Sequence, residues 1–308
     1  MNGRTIVAHL MAAPLLMAAA PEPAPTAVPE PVRLKPSSQW VLDYADNACQ
    51  LIRTFGEGER KTVLLIQGPA PDRMLMLIVG KPLATSQTGV PARFRPGGSG
   101  AKGSPTISKN GTPGVLWNYV PLWRESAPGD KITVKVQLPG VRPEPTDVVE
   151  RAAERAHRHA FASAMTELEI DAGSGRTVIL ETGALGDQLT AFDECGRDAL
   201  RDWGLDPDIQ DKVVRPVWTP NPGQWLSVKD YPTDMVRLGI EGEVRARLIV
   251  DATGKVTSCT GLSHFAAPQF NKVVCDIFKK RARLEPAELA DGTKVPSYYT
   301  AQIRFSLP

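Results

Sequence analysis

Two proline-rich stretches partition this chain of 308 residues more firmly than any other feature. Residues 21–38 (PEPAPTAVPEPVRLKPSS) repeat Glu-Pro and Ala-Pro steps, and residues 206–223 contain Pro207, Pro216, Pro220 and Pro222. Proline fixes φ and has no amide proton, so neither stretch is expected to hold a regular element. In polyproline II the first would be a semi-rigid spacer of roughly 55 Å at most, and a loose tail is the alternative. What remains, residues 39–205 and 224–308, is enough chain for two separate cores.

The segment ahead of the spacer determines compartment. Arg4 and the free amine precede an apolar run from Ile6 to Ala20, broken by His9 and Pro14, with small residues Ala18, Ala19 and Ala20 at its end. This is the pattern of a signal peptide and is short of the ~20 apolar residues a spanning helix needs. Pro21 directly after the small residues hinders cleavage. Residues 1–20 are therefore expected to be either a cleaved export signal or a short retained membrane anchor, with everything after them outside the reducing cytoplasm.

Charge and reactive side chains narrow the function. Lys+Arg 36 against Asp+Glu 34 leaves a net charge of +2, too little for affinity built on phosphate neutralisation, so nucleic acid is not an expected partner. Four histidines and four cysteines are scattered, without a CxxC, so no metal, cofactor or redox dithiol is expected. His157 and His159 are two apart, on different faces of a helix, and read as solvated or capping. Ser263 and His264 are adjacent in a loop and lack a defined acid partner. Gly97-Gly98-Ser99-Gly100 and Gly173-Ser174-Gly175 fit neither a nucleophile elbow nor a phosphate loop and read as turns. No catalytic residue is assigned.

Residues 39–205 read as a β-rich, antiparallel domain edged by helices. Trp40–Tyr44, Leu51–Phe55, Thr62–Gln67 and Met74–Val79 are short apolar runs between turn signals. Ile132, Val134, Val136 and Leu138 alternate with polar residues as a half-buried strand does. Residues 95–114 (RPGGSGAKGSPTISKNGTPG) read as a long surface loop. Asp147, with Glu150 three residues on, opens a helix to Met165 whose Val149, Ala153, Ala156 and Ala160 share one face. Strands Glu167–Ile170 and Val178–Glu181 follow, then a helix Ala191–Trp203 that buries Leu200 and Trp203 and stops at Gly204.

Residues 224–308 have a clearer order. A short helix Asp230–Leu238 ending at Gly239 precedes a hairpin in which Val244, Ala246, Leu248 and Val250 share a face. Asp251–Gly254 is its turn, and Lys255–Leu262 its second arm. Gln269–Lys280 is amphipathic, with Phe270, Val273, Val274, Ile277 and Phe278 in one stripe. Tyr299, Ala301, Ile303 and Phe305 alternate in a closing strand. The fold class is α+β overall: a β-rich first domain, then a small antiparallel sheet packed by helices.

Tyr231-Pro232, Gly239 with Glu241-Gly242-Glu243-Val244, the turn Asp251–Gly254, and Glu285-Pro286-Ala287 after the helix stand in an order and spacing that resembles the C-terminal domain of TonB-type energy transducers. The resemblance covers about residues 225–308. It implies a periplasmic protein that pairs with the TonB box, an extended peptide of an outer-membrane transporter, by strand addition. On that reading the binding edge is Tyr298, Tyr299, Thr300, Ala301, Gln302, Ile303 and Arg304. An inner-membrane motor of the ExbB/ExbD type is the second implied partner. A full transducer, however, has a true anchor with a Ser-x-x-x-His pair and a long rod; here Thr5 and His9 hold that spacing and a domain replaces the rod.

In the implied fold, Cys259 on the hairpin's second arm faces Cys275 on the helix packed over the sheet, which makes a disulfide reasonable, and Cys49 and Cys195 are the remaining pair. Free buried thiols are the alternative. Lys279, Lys280, Arg281 and Arg283 form a basic run at a helix end, a solvated face by default and a contact for an acidic peptide otherwise. The rival to a peptide-binding role is a periplasmic enzyme or enzyme inhibitor whose first domain carries the activity.

Overall fold

The structure, a computed structural model, describes residues 29–45, 48–70, 73–98, 100–108, 110–118, 145–262 and 268–307. The export or anchor segment with Thr5 and His9, residues 21–28 of the first proline-rich stretch, the alternating residues 132–138, and Ser263 and His264 lie outside the described residues; the rest of that stretch is not a spacer as expected, because Val32–Leu34 form a strand paired with Val178–Leu180.

The first region is built on one ten-stranded sheet. Its strands are β1 (Val32–Leu34), β2 (Val41–Ala45), β3 (Ala48–Phe55), β4 (Thr62–Ala70), β5 (Arg73–Gly80), β6 (Val90–Arg95), β7 (Ala101–Ile107), β8 (Pro113–Asn118) and, after α1 (Val148–Ala164), β9 (Glu167–Gly173) and β10 (Arg176–Leu180). They lie in the order β1-β10-β9-β6-β7-β8-β5-β4-β3-β2. All neighbours are antiparallel except β1 and β10. The sheet curls so that the chain just past β1 reaches the end of β3, the last strand but one at its far side: Gly56 N–H donates to the Lys35 carbonyl (2.8 Å) and Ser37 N–H to that of Thr54 (2.9 Å). Phe55, Leu64, Ile66, Ile78, Phe94, Trp117, Leu168 and Ile170 fill the enclosed space and are at most 1% exposed.

Three expectations are corrected in this region. Residues 95–114 are not a surface loop, because β7 and the start of β8 run through them. Glycine there permits close packing: a Cβ on Gly103 would lie 2.5 Å from the Trp117 ring. In α1 the residues Val149, Ala153, Ala156 and Ala160 are exposed, and Phe161, Ala162 and Met165 are buried instead. The helix is anchored by arginines: Arg151 donates to the carbonyls of Asp211 (3.0 Å) and Val213 (2.5 Å), and Arg158 binds Asp193 of α2 (Gly186–Asp202) at 2.8 Å. Third, residues 206–223 are a structured connector. Pro207 opens a helix, α3 (Pro207–Asp211), where its missing N–H is not needed, and Asp206 caps that helix by accepting from Asp208 N–H (2.8 Å). A strand, β11 (Val213–Arg215), and a 3-10 turn, Pro222–Trp225, follow.

The second region comprises α4 (Thr233–Arg237), β12 (Gly242–Val250), β13 (Val256–Gly261), α5 (Pro268–Arg281), β14 (Ala287–Leu289), β15 (Lys294–Val295) and β16 (Ser297–Phe305). One sheet has the order β13-β12-β16 and a smaller one β11-β14-β15. Phe270, Val274 and Phe278 of α5 are buried on Val244, Ala246, Leu248 and Val250 of β12 and Ala301, Ile303 and Phe305 of β16. Val213 and Val217, inside the stretch read as a linker, belong to this core. The connector is ordered because its apolar side chains are part of the second core and its polar groups are bonded to the first region.

Candidate functional site: the outer edge of the closing strand

Cross-strand pairing makes β16 an edge. It pairs with β12 without a register shift, from Gly242 opposite Phe305 to Val250 opposite Ser297, and no strand among the described residues pairs with its outer side. Leu262 N–H donates to the Arg245 carbonyl (2.7 Å), so the odd-numbered residues of β12 direct their backbone groups to β13 and the even-numbered ones to β16. In that register Tyr299, Ala301 and Ile303 bond inward, and Tyr298, Thr300, Gln302 and Arg304 direct N–H and C=O away from the sheet. All seven residues expected at the binding edge lie on this strand, divided between inward and outward backbone sets. Gln302 Nε2 also donates to Glu243 Oε1 across the pair (2.8 Å).

The two ends of the edge differ. Toward Phe305 the strand meets an aromatic cluster, with Phe305 stacked on Phe270 (4.6 Å between ring centres) and Tyr231 edge-on to both (5.4 and 5.6 Å). Tyr231 Oη donates to the Ile240 carbonyl (2.9 Å), and Leu238 and Ile240 beside it are exposed. The turn Pro222–Trp225 packs alongside β16. Toward Ser297 the strand meets the first region. The Trp203 ring at the end of α2 lies edge-on to Tyr298 (5.7 Å), and its Nε1 donates to Tyr44 Oη (3.3 Å). The Arg247 guanidinium lies 3.8 Å from the same ring's centre and is 5% exposed, and burial pulls its pKa down. Gln210 of α3 donates to the Pro296 carbonyl (2.9 Å) and accepts from Ser297 Oγ (2.6 Å).

Tyr44, Trp203, Gln210 and Arg247 are the site neighbours that sequence reasoning missed. Trp203 was expected to be buried within its own region, and no local spacing ties it to Tyr298. Of the residues considered for other chemistry, His157 is exposed, whereas His159 is not simply solvated: its Nε2 lies 2.8 Å from Asp193 Oδ2. In the basic run, Arg281 is bonded to Asp230 (2.9 Å) and to the Trp225 carbonyl (3.2 Å), an internal role. Gly173-Ser174-Gly175 turns β9 into β10. Among the described residues no group of three or more His, Cys, Asp or Glu side chains could hold a metal. The structure joins Cys49 to Cys195 and Cys259 to Cys275.

Residues 227–307 match the family described as the Gram-negative bacterial TonB protein C-terminal. The second region is a TonB-family C-terminal domain. No curated protein and no solved structure gave a match. The matched span holds α4, the β13-β12-β16 sheet and α5, and excludes β11, the connector and the whole ten-stranded region. The candidate edge, β16, is therefore part of the TonB-family domain, and Trp203 and Gln210, whose side chains contact Tyr298, Pro296 and Ser297 at one end of it, come from outside.

Proposed function

We propose that the protein acts in the periplasm by binding extended segments of outer-membrane transporters, the TonB box, through strand addition to β16. The observation that carries this reading is the run of outward backbone groups at Tyr298, Thr300, Gln302 and Arg304 on an edge strand of a TonB-family domain. An edge of this length is an aggregation hazard unless it has a use, and a guest strand supplies one. Two disulfides suit an exported protein. Coupling to an inner-membrane motor of the ExbB/ExbD type is the further part of the proposal and would run through residues 1–20.

Backbone recognition gives the test. Gln302→Pro removes an N–H that points away from β12, so the β12–β16 ladder survives while a guest bond is lost. Gln302→Ala changes a side chain only. In titration calorimetry a TonB-box peptide should bind the wild type and the alanine variant alike and the proline variant at least tenfold more weakly, with circular dichroism showing all three folded. Equal binding by a folded proline variant, or no binding of such a peptide, would overturn the proposal.

A further inference from the structure

We infer that the first region is a rigid arm of the TonB-family domain, clamped to it at two separate places, so that the orientation of the arm fixes the orientation in which β16 is presented. The inference goes beyond strand addition and holds with or without a guest strand.

The first clamp is on the face of the β13-β12-β16 sheet opposite α5. Val244, Ala246, Leu248 and Val250 of β12 are buried in the core that α5 covers, so by the alternation of a strand Arg245, Arg247 and Ile249 lie on the other face. Arg247 is only 5% exposed there, and its guanidinium lies 3.8 Å from the centre of the Trp203 ring. Tyr298 stands opposite Ile249 in the register, shares its face, and meets the same indole edge-on (5.7 Å). Cation–π contact and edge-on packing both favour this one placement of the ring. Two strands of the TonB-family domain thus hold one side chain of α2. That helix is fixed in turn to the ten-stranded sheet, since Trp203 Nε1 donates to Tyr44 Oη of β2 (3.3 Å) and Cys195 is joined to Cys49 of β3.

The second clamp is the connector. Its helix α3 is tied to α1 by Arg151 to the Asp211 carbonyl (3.0 Å) and Arg155 to Asp211 (2.9 Å), and to α2 by Arg197 to Asp211 (2.8 Å). Next along the chain, β11 is bonded to both regions: Thr146 N–H, just ahead of α1, donates to the Val214 carbonyl (2.8 Å), and Val213 pairs with Leu289 of β14. Gln210 adds a bond to the Pro296 carbonyl (2.9 Å) and accepts one from Ser297 Oγ (2.6 Å). A single contact would let the regions swivel about it. Two contacts at different places, one by aromatic packing on β12 and β16 and one through α3 and β11, remove that freedom, which chain-linked domains otherwise keep. A displacement of the first region therefore carries β16 with it, without the slack of a flexible linker.

The test measures a distance between the regions in the full chain without peptide. All four cysteines are held in the two disulfides, so spin labels can be placed at Ile107→Cys on β7, where the side chain is exposed, and at Lys272→Cys on α5. Pulsed electron–electron resonance should give one narrow distance distribution. Trp203→Ala combined with Gln210→Ala should broaden it about twofold, as expected of domains released to move. Trp203→Ala alone, which keeps the connector bonds, should broaden it less, and Trp203→Phe, which keeps a ring against Arg247 and Tyr298, should leave it narrow. A broad distribution with Trp203 and Gln210 both present, or a distribution in the folded alanine variants no broader than that of Trp203→Phe, would overturn the inference. Peptide is absent throughout, so this measurement and the peptide titration fail independently.

Discussion

The two regions reach a packed sheet by opposite routes. In the TonB-family domain the three-stranded sheet is complete between residues 242 and 305, its first two strands form a hairpin, and its disulfide joins residues 16 apart. In the first region β1 pairs with β10 (Val32 opposite Val178), β6 with β9 (Ala92 opposite Ile170), and the disulfide joins residues 146 apart. Loop closure must be overcome before long-range pairs return anything, so the ten-stranded sheet cannot close until its last strands exist. The small domain is assembled from neighbours and the large one depends on distant partners being brought together.

The largest expected effect sharpens that contrast. Removing Cys49–Cys195 with serine at both positions should lower stability by about 5 kcal/mol if the bridge acts through the entropy of the unfolded chain, whereas removing Cys259–Cys275 should cost about 3 kcal/mol. Denaturant titration of each double-serine variant, read with a probe in each region, checks both. A greater loss from the shorter bridge would break the comparison, because chain separation would then not be what the bridges act on.

A middle-sized effect concerns a strand made of residues that usually form loops. Gly103→Val in β7 forces side-chain atoms against Trp117, whose ring a Cβ would already approach to 2.5 Å, and overpacking of this kind costs about 1–3 kcal/mol. The loss should appear in unfolding of the first region and leave the TonB-family domain unchanged. An unperturbed midpoint would mean that β7 can move off Trp117, as the loop its composition suggests would do.

That glycine also explains what could be read in advance. In the TonB-family domain the patterns are local: the alternation Val244, Ala246, Leu248, Val250, the stripe on α5, and the turn at Gly254, whose φ of +86° and position 1.9 Å from the Leu284 carbonyl for an added Cβ suit glycine alone. In the first region β3, β4 and β5 showed themselves as apolar runs, but β7 was hidden because its small residues serve a neighbour's ring. The face of α1 was misread because its anchors are Arg151 and Arg158, which hydrophobic patterning ignores. The connector was misread because proline at the first turn of α3 looks the same in sequence as proline in a linker. At the candidate site, β16 was visible from its alternation. Trp203 and Gln210 were not, since their partners Tyr298 and Pro296 are roughly 90 residues away in sequence and no periodicity spans that gap.

The smallest effect compares the regions through their carboxylates. In the first region burial pushes Glu169 up, but Arg93 and Arg95 together outweigh it and hold the group below its ordinary range. In the TonB-family domain Asp230 is lowered by the hydrogen bond from Arg281, with help from the Ser227 hydroxyl and N–H. A carboxyl whose folded pKa lies below its unfolded value contributes stability above the unfolded pKa, and that contribution fades as pH falls through about 4 toward the folded value. Asp230→Asn should therefore cost the TonB-family domain up to about 1 kcal/mol at neutral pH, the range of a partly exposed ion pair, and almost nothing near pH 2. Urea midpoints of that domain for wild type and variant should thus converge on acidification, while the first region, still carrying Glu169, keeps an identical acid slope in both proteins. A gap that stays constant from pH 7 to about pH 2 would show that Asp230 acts by shape, through the Ser227 turn, and that its charge on Arg281 contributes nothing.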